Sequence, residues 1–222
     1  KRTEYVPSAE CCATSNRDRK CDHPVHDQRA VAYYEGWASR RDCSPFYPGN
    51  IDAAQWTHIN FAFAVLDNSS NIVPSSRSDI YLYNETTALK RENKHLQVWI
   101  AVGGDGMGGK PFSEMASSHS SRKEFIYSAM QFMDEHDFDG IDIDWEYPAV
   151  TERGGKEADR ENLVKLVKEM REEFGDGKGI SMTVPARSCT FISTLLWLLK
   201  QRRSNRIRLS GWVRSRSHAV GS

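Results

Sequence analysis

Asp139-Gly140-Ile141-Asp142-Ile143-Asp144-Trp145-Glu146-Tyr147-Pro148 alternates acidic with bulky apolar side chains. In an extended strand every second side chain shares a face, so Asp142, Asp144 and Glu146 line one side while Ile141, Ile143 and Trp145 line the other. Neighbouring acids then sit about 6.5–7 Å apart at Cα, and their charges must be shared with protons, hydrogen bonds or a cation. A solvated edge strand would tolerate the acids, but the isoleucines and the tryptophan demand burial on their own side. Three carboxylates could also hold a hard cation, yet the stretch itself contains no histidine and no calcium-loop glycine pattern. The third reading is a proton-transfer site, in which like charges keep one carboxyl protonated near neutral pH while a neighbour stays ionised.

Strand and helix patterns alternate on both sides of this stretch. Downstream, Leu163, Leu166, Val167, Met170 and Phe174 line one face of a helix that stops at Gly175, and Ile180-Ser181-Met182-Thr183-Val184 reads as a strand. Upstream, Ser121-Arg122-Lys123-Glu124 has the form of a capping box, with Phe125, Ile126, Ala129, Met130 and Met133 at helical spacing behind it. Three further strands are expected over Ala30–Trp37, His58–Ala64 and Leu96–Val102, and weak helical character runs from Thr86 to Asn93. Strands that alternate with helices at this spacing imply βαβ units and a parallel sheet, either open and doubly wound or closed as a (β/α)8 barrel. Periodicity does not separate the two.

The acidic stretch carries a resemblance. Asp139, Asp142, Asp144 and Glu146 occupy the four fixed positions of D-x-x-D-x-D-x-E, the signature of the family 18 glycoside hydrolases, the chitinases. Ala101-Val102-Gly103-Gly104 is similar to the S-x-G-G that ends the third strand of that family, with alanine for serine. Tyr33-Tyr34-Glu35-Gly36-Trp37 and Ile59-Asn60-Phe61-Ala62-Phe63-Ala64 look like its first two strands, in particular those of the secreted fungal chitinases related to killer-toxin subunits. The likeness covers about residues 28–186.

The resemblance implies an α/β fold, the TIM (β/α)8 barrel, here represented by about its first five β/α units, with the active site at the C-terminal ends of the strands. It implies endo-type hydrolysis of β-1,4-linked N-acetylglucosamine polymers by substrate-assisted, retaining chemistry. Glu146 matches the general acid, Asp144 the residue that orients the acetamido group, and Asp142 the one that shares a proton with Asp144. Tyr34, Phe63, Gly103, Gly104 and Tyr147 are the expected substrate-binding residues. Asp139, of opposite strand parity, is expected to be structural. Trp37 and Trp99 are expected in the core. No metal and no cofactor is implied, and the expected partner is chitin or a chitooligosaccharide. The tyrosine of strand six and the tryptophan of strand eight in this family have no counterpart in the sequence. The chain by itself is therefore expected to be inactive, and a glycan-binding, chitinase-like protein or an inert fragment is the alternative.

The chain of 222 residues has 30 basic and 30 acidic side chains, 39% hydrophobic residues and 27% charged ones, a globular composition. The balance conceals a break. Residues 187–222 hold eight of the 30 basic residues and no acid, which leaves 22 basic against 30 acidic residues in 1–186, a net of −8. An acidic body argues against nucleic-acid binding, which needs a clustered basic face. The longest apolar run, Cys189–Leu199, is interrupted by Thr190, Ser193 and Thr194 and is too short to cross a bilayer, so no membrane span is expected. Cys11, Cys12, Cys21 and Cys43 crowd the first 43 residues and suggest disulfides in an oxidising compartment, with Cys189 left over. The sequons Asn68-Ser69-Ser70 and Asn84-Glu85-Thr86 agree with secretion. No signal peptide is visible ahead of Lys1, so a processed form or an excised fragment is expected. Three regions are expected: a cysteine-containing leader over 1–28, the barrel segment over 29–186, and an atypical basic tail over 187–222 that reads as a frameshift or intron read-through.

Overall fold

Among the described residues, five parallel strands stand side by side in the order in which the chain makes them. The computed structural model describes residues 29–184. They are β1 (Val31–Glu35), β2 (His58–Leu66), β4 (Gln97–Gly103), β5 (Gly140–Asp144) and β6 (Gly179–Met182), and a short β3 (Ile72–Pro74) folds back antiparallel on β2. Between them run α1 (Asp79–Ala88), α2 (Lys110–Ala116), α3 (His119–Glu135) and α4 (Asp159–Phe174). A doubly wound sheet would reverse its strand order at a switch point. This one does not, and its helices share one face, which is the winding of a (β/α)8 barrel. The described residues make the N-terminal part of that fold.

The parity of the strands sorts the side chains. On the helix side, Ile59, Phe61, Val98, Ile100, Val102, Ile141, Ile143, Ile180 and Met182 are buried in one cluster with Leu82, Phe112, Phe125, Met133, Leu166 and Met170 of the helices. The other side faces the barrel interior and is more polar. One layer reads Tyr33, Asn60, Trp99, Gly140, Gly179 across the register, and the next reads Glu35, Ala62, Ala101, Asp142, Ser181. The Trp99 indole lies flat over the two glycines of its layer: a Cβ at Gly140 would come within 2.7 Å of the ring, and one at Gly179 within 2.1 Å. A large side chain thus fills the layer because its neighbours have none.

Several local expectations change. The helix expected behind Ser121 begins three residues earlier, at His119 instead of Arg122, because Ser118 is its N-cap and its Oγ accepts from the Ser121 backbone N–H at 3.1 Å. Helix α1 starts at Asp79, well before Thr86, and gives way at Leu89–Arg91 to a single 3-10 turn. Strand β1 stops at Glu35, and Gly36–Arg40 is a 3-10 turn. Neither β3 nor α2 was signalled by periodicity, being only three and seven residues long. Helix α4 follows expectation, with Leu163, Leu166, Val167, Met170 and Phe174 all buried and Gly175 as its C-cap. No helix of the described residues is long and apolar enough to cross a membrane. The leader, the basic tail, and Cys11, Cys12, Cys21 and Cys189 lie outside the described residues, while Cys43 is exposed.

Candidate active site

Strand β5 carries the acids into the barrel interior. Its outward residues Ile141 and Ile143 are fully buried, and Trp145 stacks on Phe112 at 5.4 Å, so packing against α2 and the helix layer locks the strand's parity. Asp142 and Asp144 therefore point inward, and Glu146 follows just past the strand's end, where the chain turns at Tyr147.

Asp142 is the deepest. It is 0% exposed and is held from both flanks: Oδ2 accepts from the Tyr33 hydroxyl at 2.7 Å and the Thr183 hydroxyl at 3.4 Å, and Oδ1 accepts from the Ser181 hydroxyl. Burial pushes its carboxyl above the usual range, and these donors pull against the rise. Asp144 is 7% exposed, and its Oδ1 has no hydrogen-bond partner among the described residues. Burial, then the Glu146 charge, then the Asp142 charge push Asp144 up to about 7, with Thr183 working the other way. Glu146 is half-buried at the rim, and burial raises its carboxyl too, helped by Asp105 and opposed by Arg153 and by a hydrogen bond from Tyr147. The arrangement can store a proton inside the barrel and present a carboxyl at its mouth.

The chain around the acids is shaped to reach them. Gly103 and Gly104 have φ of +115° and +84°, a conformation that side chains resist. A Cβ at Gly103 would lie 2.2 Å from the Asp144 carbonyl oxygen, and that same oxygen accepts from the Gly104 N–H at 2.9 Å. The Phe63 ring covers Gly104, at 2.8 Å from where its Cβ would be, and Trp37 stacks on Phe63 at 6.1 Å. Phe63, Gly103, Gly104 and Tyr147 thus lie with the acids.

Tyr34 does not. It is buried on the helix side, packs on Phe61 at 5.4 Å and donates its hydroxyl to the Phe46 carbonyl at 3.0 Å. Its neighbour Tyr33 faces the interior in its place. The signal was the parity of Glu35, which shares a face with Tyr33 and a register row with Asp142. Trp37 also departs from expectation: it is 44% exposed at the mouth, whereas Trp99 is buried as expected. Ser181, Thr183, Arg153 and Asp105 were missed, because single polar residues near strand ends carry no pattern. Asp139 sits at the far end of β5, where its Oδ2 accepts from the Val98 N–H at 2.8 Å and its Oδ1 meets Lys90 at 3.1 Å. Among the described residues no group of three or more His, Cys, Asp or Glu is arranged to hold a metal ion.

A model of the glycosyl hydrolases family 18 matches residues 29–196. The chain belongs to glycosyl hydrolase family 18. The matched range reaches beyond Ala186, where likeness to the family was expected to end. Among family 18 relatives, "Probable chitinase 2" of Drosophila melanogaster is 38% identical over 169 residues, 72% of this chain and 34% of that protein. Of solved family structures, the Group IV chitinase of Ostrinia furnacalis superposes with a TM-score of 0.67 at 31% identity, over 71% of this chain and 44% of that one. Human YKL-39, a pseudo-chitinase with retained chitooligosaccharide binding, superposes with a TM-score of 0.61 at 26% identity, over 71% of this chain and 44% of that one. The chain spans about a third of the length of the curated relatives it matches. Those relatives are animal proteins, so the expected fungal, killer-toxin-like subtype finds no support.

Proposed function

We propose that the acid line is the catalytic half-site of a chitin-hydrolysing family 18 enzyme. Glu146 gives its proton to the glycosidic oxygen as the bond to C1 breaks, and the carbonyl oxygen of the substrate's own N-acetyl group closes on C1 to form an oxazolinium ion. Water then opens that ion with net retention, and the Glu146 carboxylate takes up the proton it releases. Asp144 orients the acetamido group and faces the cation, and Asp142 shares a proton with Asp144. Phe63, Gly103, Gly104 and Tyr147 make the floor and wall beside the sugar, and the cut is internal to a polymer of β-1,4-linked N-acetylglucosamine.

The observation that carries this reading is Asp144. It is buried between Asp142 and Glu146, has an unpartnered carboxyl oxygen and keeps its proton up to about pH 7. A carboxyl held this way is suited to an amide-bearing ligand, because it offers a donor or an acceptor as the reaction requires. The Ostrinia furnacalis Group IV chitinase has been solved in complex with allosamidin, which agrees with a ligand-binding role for this fold.

Binding without catalysis is the second reading, favoured by the likeness to YKL-39. Glu146, present here, separates the two. The test places the matched segment in a barrel whose remaining strands come from the Ostrinia furnacalis enzyme. Glu146→Gln should lower turnover of a chitin oligosaccharide by about a thousandfold or more while leaving its binding nearly unchanged. Turnover within tenfold of the parent would remove Glu146 from the role. Secretion is part of the proposal: both sequon asparagines, Asn68 and Asn84, are exposed.

A further inference from the structure

Arg153 lies seven residues past Glu146 and bonds back to it. Its own backbone is fixed first. Thr151–Arg153 is a 3-10 turn ended by Gly154 at φ +80°, the Arg153 N–H donates to the Val150 carbonyl at 3.0 Å, and the Arg153 carbonyl accepts from the Gly109 N–H at 3.0 Å. From that mount the guanidinium reaches two loops at once. Nε donates to the Glu146 carbonyl at 3.3 Å, and Nη2 donates to the Asp105 carbonyl at 3.1 Å, pairs with the Asp105 carboxylate, and lies 3.7 Å from Glu146 Oε2. The segment after β4 and the segment after β5 are thereby joined beside the acid at the rim.

The charges that face Glu146 are Asp144 from β5, Asp105 from the loop after β4, and Arg153 and the phenol of Tyr147 from its own loop. Only Arg153 among them is positive. A guanidinium is planar and permanently charged, so it fixes both a direction and a sign. Lysine would supply the charge without the fork.

We propose that Arg153, anchored by Asp105, is a positioning residue for Glu146: it holds that carboxyl at the mouth of the barrel and sets a fixed positive charge against it. The inference takes Glu146 as the proton donor of the proposed hydrolysis, but the pair can be tested without turnover. Burial and Asp105 push the Glu146 carboxyl up, and Arg153 draws it down. Removing either partner must therefore move it in opposite directions, which loss of packing alone would not do.

The experiment is a carbon-13 titration of the 222-residue chain labelled at its glutamate carboxyls, with the Glu146 signal identified by its loss in Glu146→Gln. Arg153→Gln should raise the Glu146 midpoint by about 0.5 to 1 pH. Asp105→Asn keeps the backbone carbonyl and an amide oxygen as acceptors for Arg153, so it removes the negative charge and not the anchor and should lower the midpoint, and Arg153→Lys should fall between Arg153→Gln and the parent. The Asp105 side chain is 79% exposed, so Asp105→Asn keeps the fold and decides the matter if Arg153→Gln does not unfold cooperatively. An unchanged midpoint in Asp105→Asn, or shifts of one sign in both variants, would overturn the proposal. Midpoints that move as stated support the pair even where the completed barrel shows no turnover, and it is then the proposed hydrolysis that fails.

Discussion

Replacing Asp144 by asparagine should make the protein's stability less dependent on pH, and the size of the change follows from the site. In the folded state Asp144 holds its proton up to about pH 7, against 3.8 for an unperturbed aspartate. Between those values the folded chain binds a proton that the unfolded chain has released. The stability linked to that proton is fully present below pH 3.8 and is lost as pH rises through about 7. A difference of about three pH units at about 1.4 kcal/mol each is worth about 4 kcal/mol. The asparagine side chain is neutral at every pH and would lose none of it. Asp142 and Glu146, also raised, slope the same way in both proteins, so the difference between the two reads Asp144 together with its coupling to those two charges. Urea unfolding followed by tryptophan fluorescence at pH 4, 6 and 8 measures it: the advantage of Asp144→Asn over the parent should grow steadily with pH. Parallel stability curves, or a parent that gains on the variant as pH rises, would refute the reasoning.

The backbone approach at the end of β4 predicts that Gly103→Ala destabilises by about 2–5 kcal/mol, through a positive φ and a methyl forced onto the Asp144 carbonyl; the shift of the urea midpoint reads it. Tyr33→Phe should lower turnover in the completed barrel and raise the midpoint of Asp142 in a carboxyl titration, because it removes the 2.7 Å donor to that carboxyl. Tyr34→Phe, which loses only the bond to the Phe46 carbonyl, should cost about 1 kcal/mol of stability and leave turnover alone. Asp159 is buried and accepts from the Ser113 hydroxyl and from the Ala149 and Lys156 N–H groups. Asp159→Ala should therefore destabilise by about 2–4 kcal/mol, since three donors lose their acceptor.

The parts of the fold that were legible in the sequence are those in which one face is wholly apolar. Alternation in Ile141, Ile143 and Trp145 placed Asp142 and Asp144 on the opposite face, and the spacing of Leu163 to Phe174 located α4, because burial of one side leaves a period that can be read. The choice between an open sheet and a barrel was not legible, since it depends on strand order, which no local period encodes. In β1 the pair Tyr33-Tyr34 gives no contrast between faces, and the two tyrosines were exchanged; Tyr33 reaches the acid and Tyr34 the core. The partners of the acids were hidden for another reason. Ser181, Thr183, Arg153 and Asp105 come from three places in the chain and meet Asp142, Asp144 and Glu146 only when β4, β5 and β6 lie side by side. Helix α3 shows how a plausible cap can mislead, because Ser121 with Glu124 fits the capping box while Ser118, the actual N-cap, lacks the glutamate three residues on.

The most direct test of the central claim compares a chitin oligosaccharide with its fully deacetylated counterpart in the completed barrel, following the first-formed product by proton NMR. If Glu146 gives its proton to a glycosidic bond that the neighbouring acetamido group helps to break, only the acetylated oligosaccharide is cleaved, and the β-anomer appears first. Initial α-anomer, or cleavage of the deacetylated chain at a comparable rate, would contradict the account.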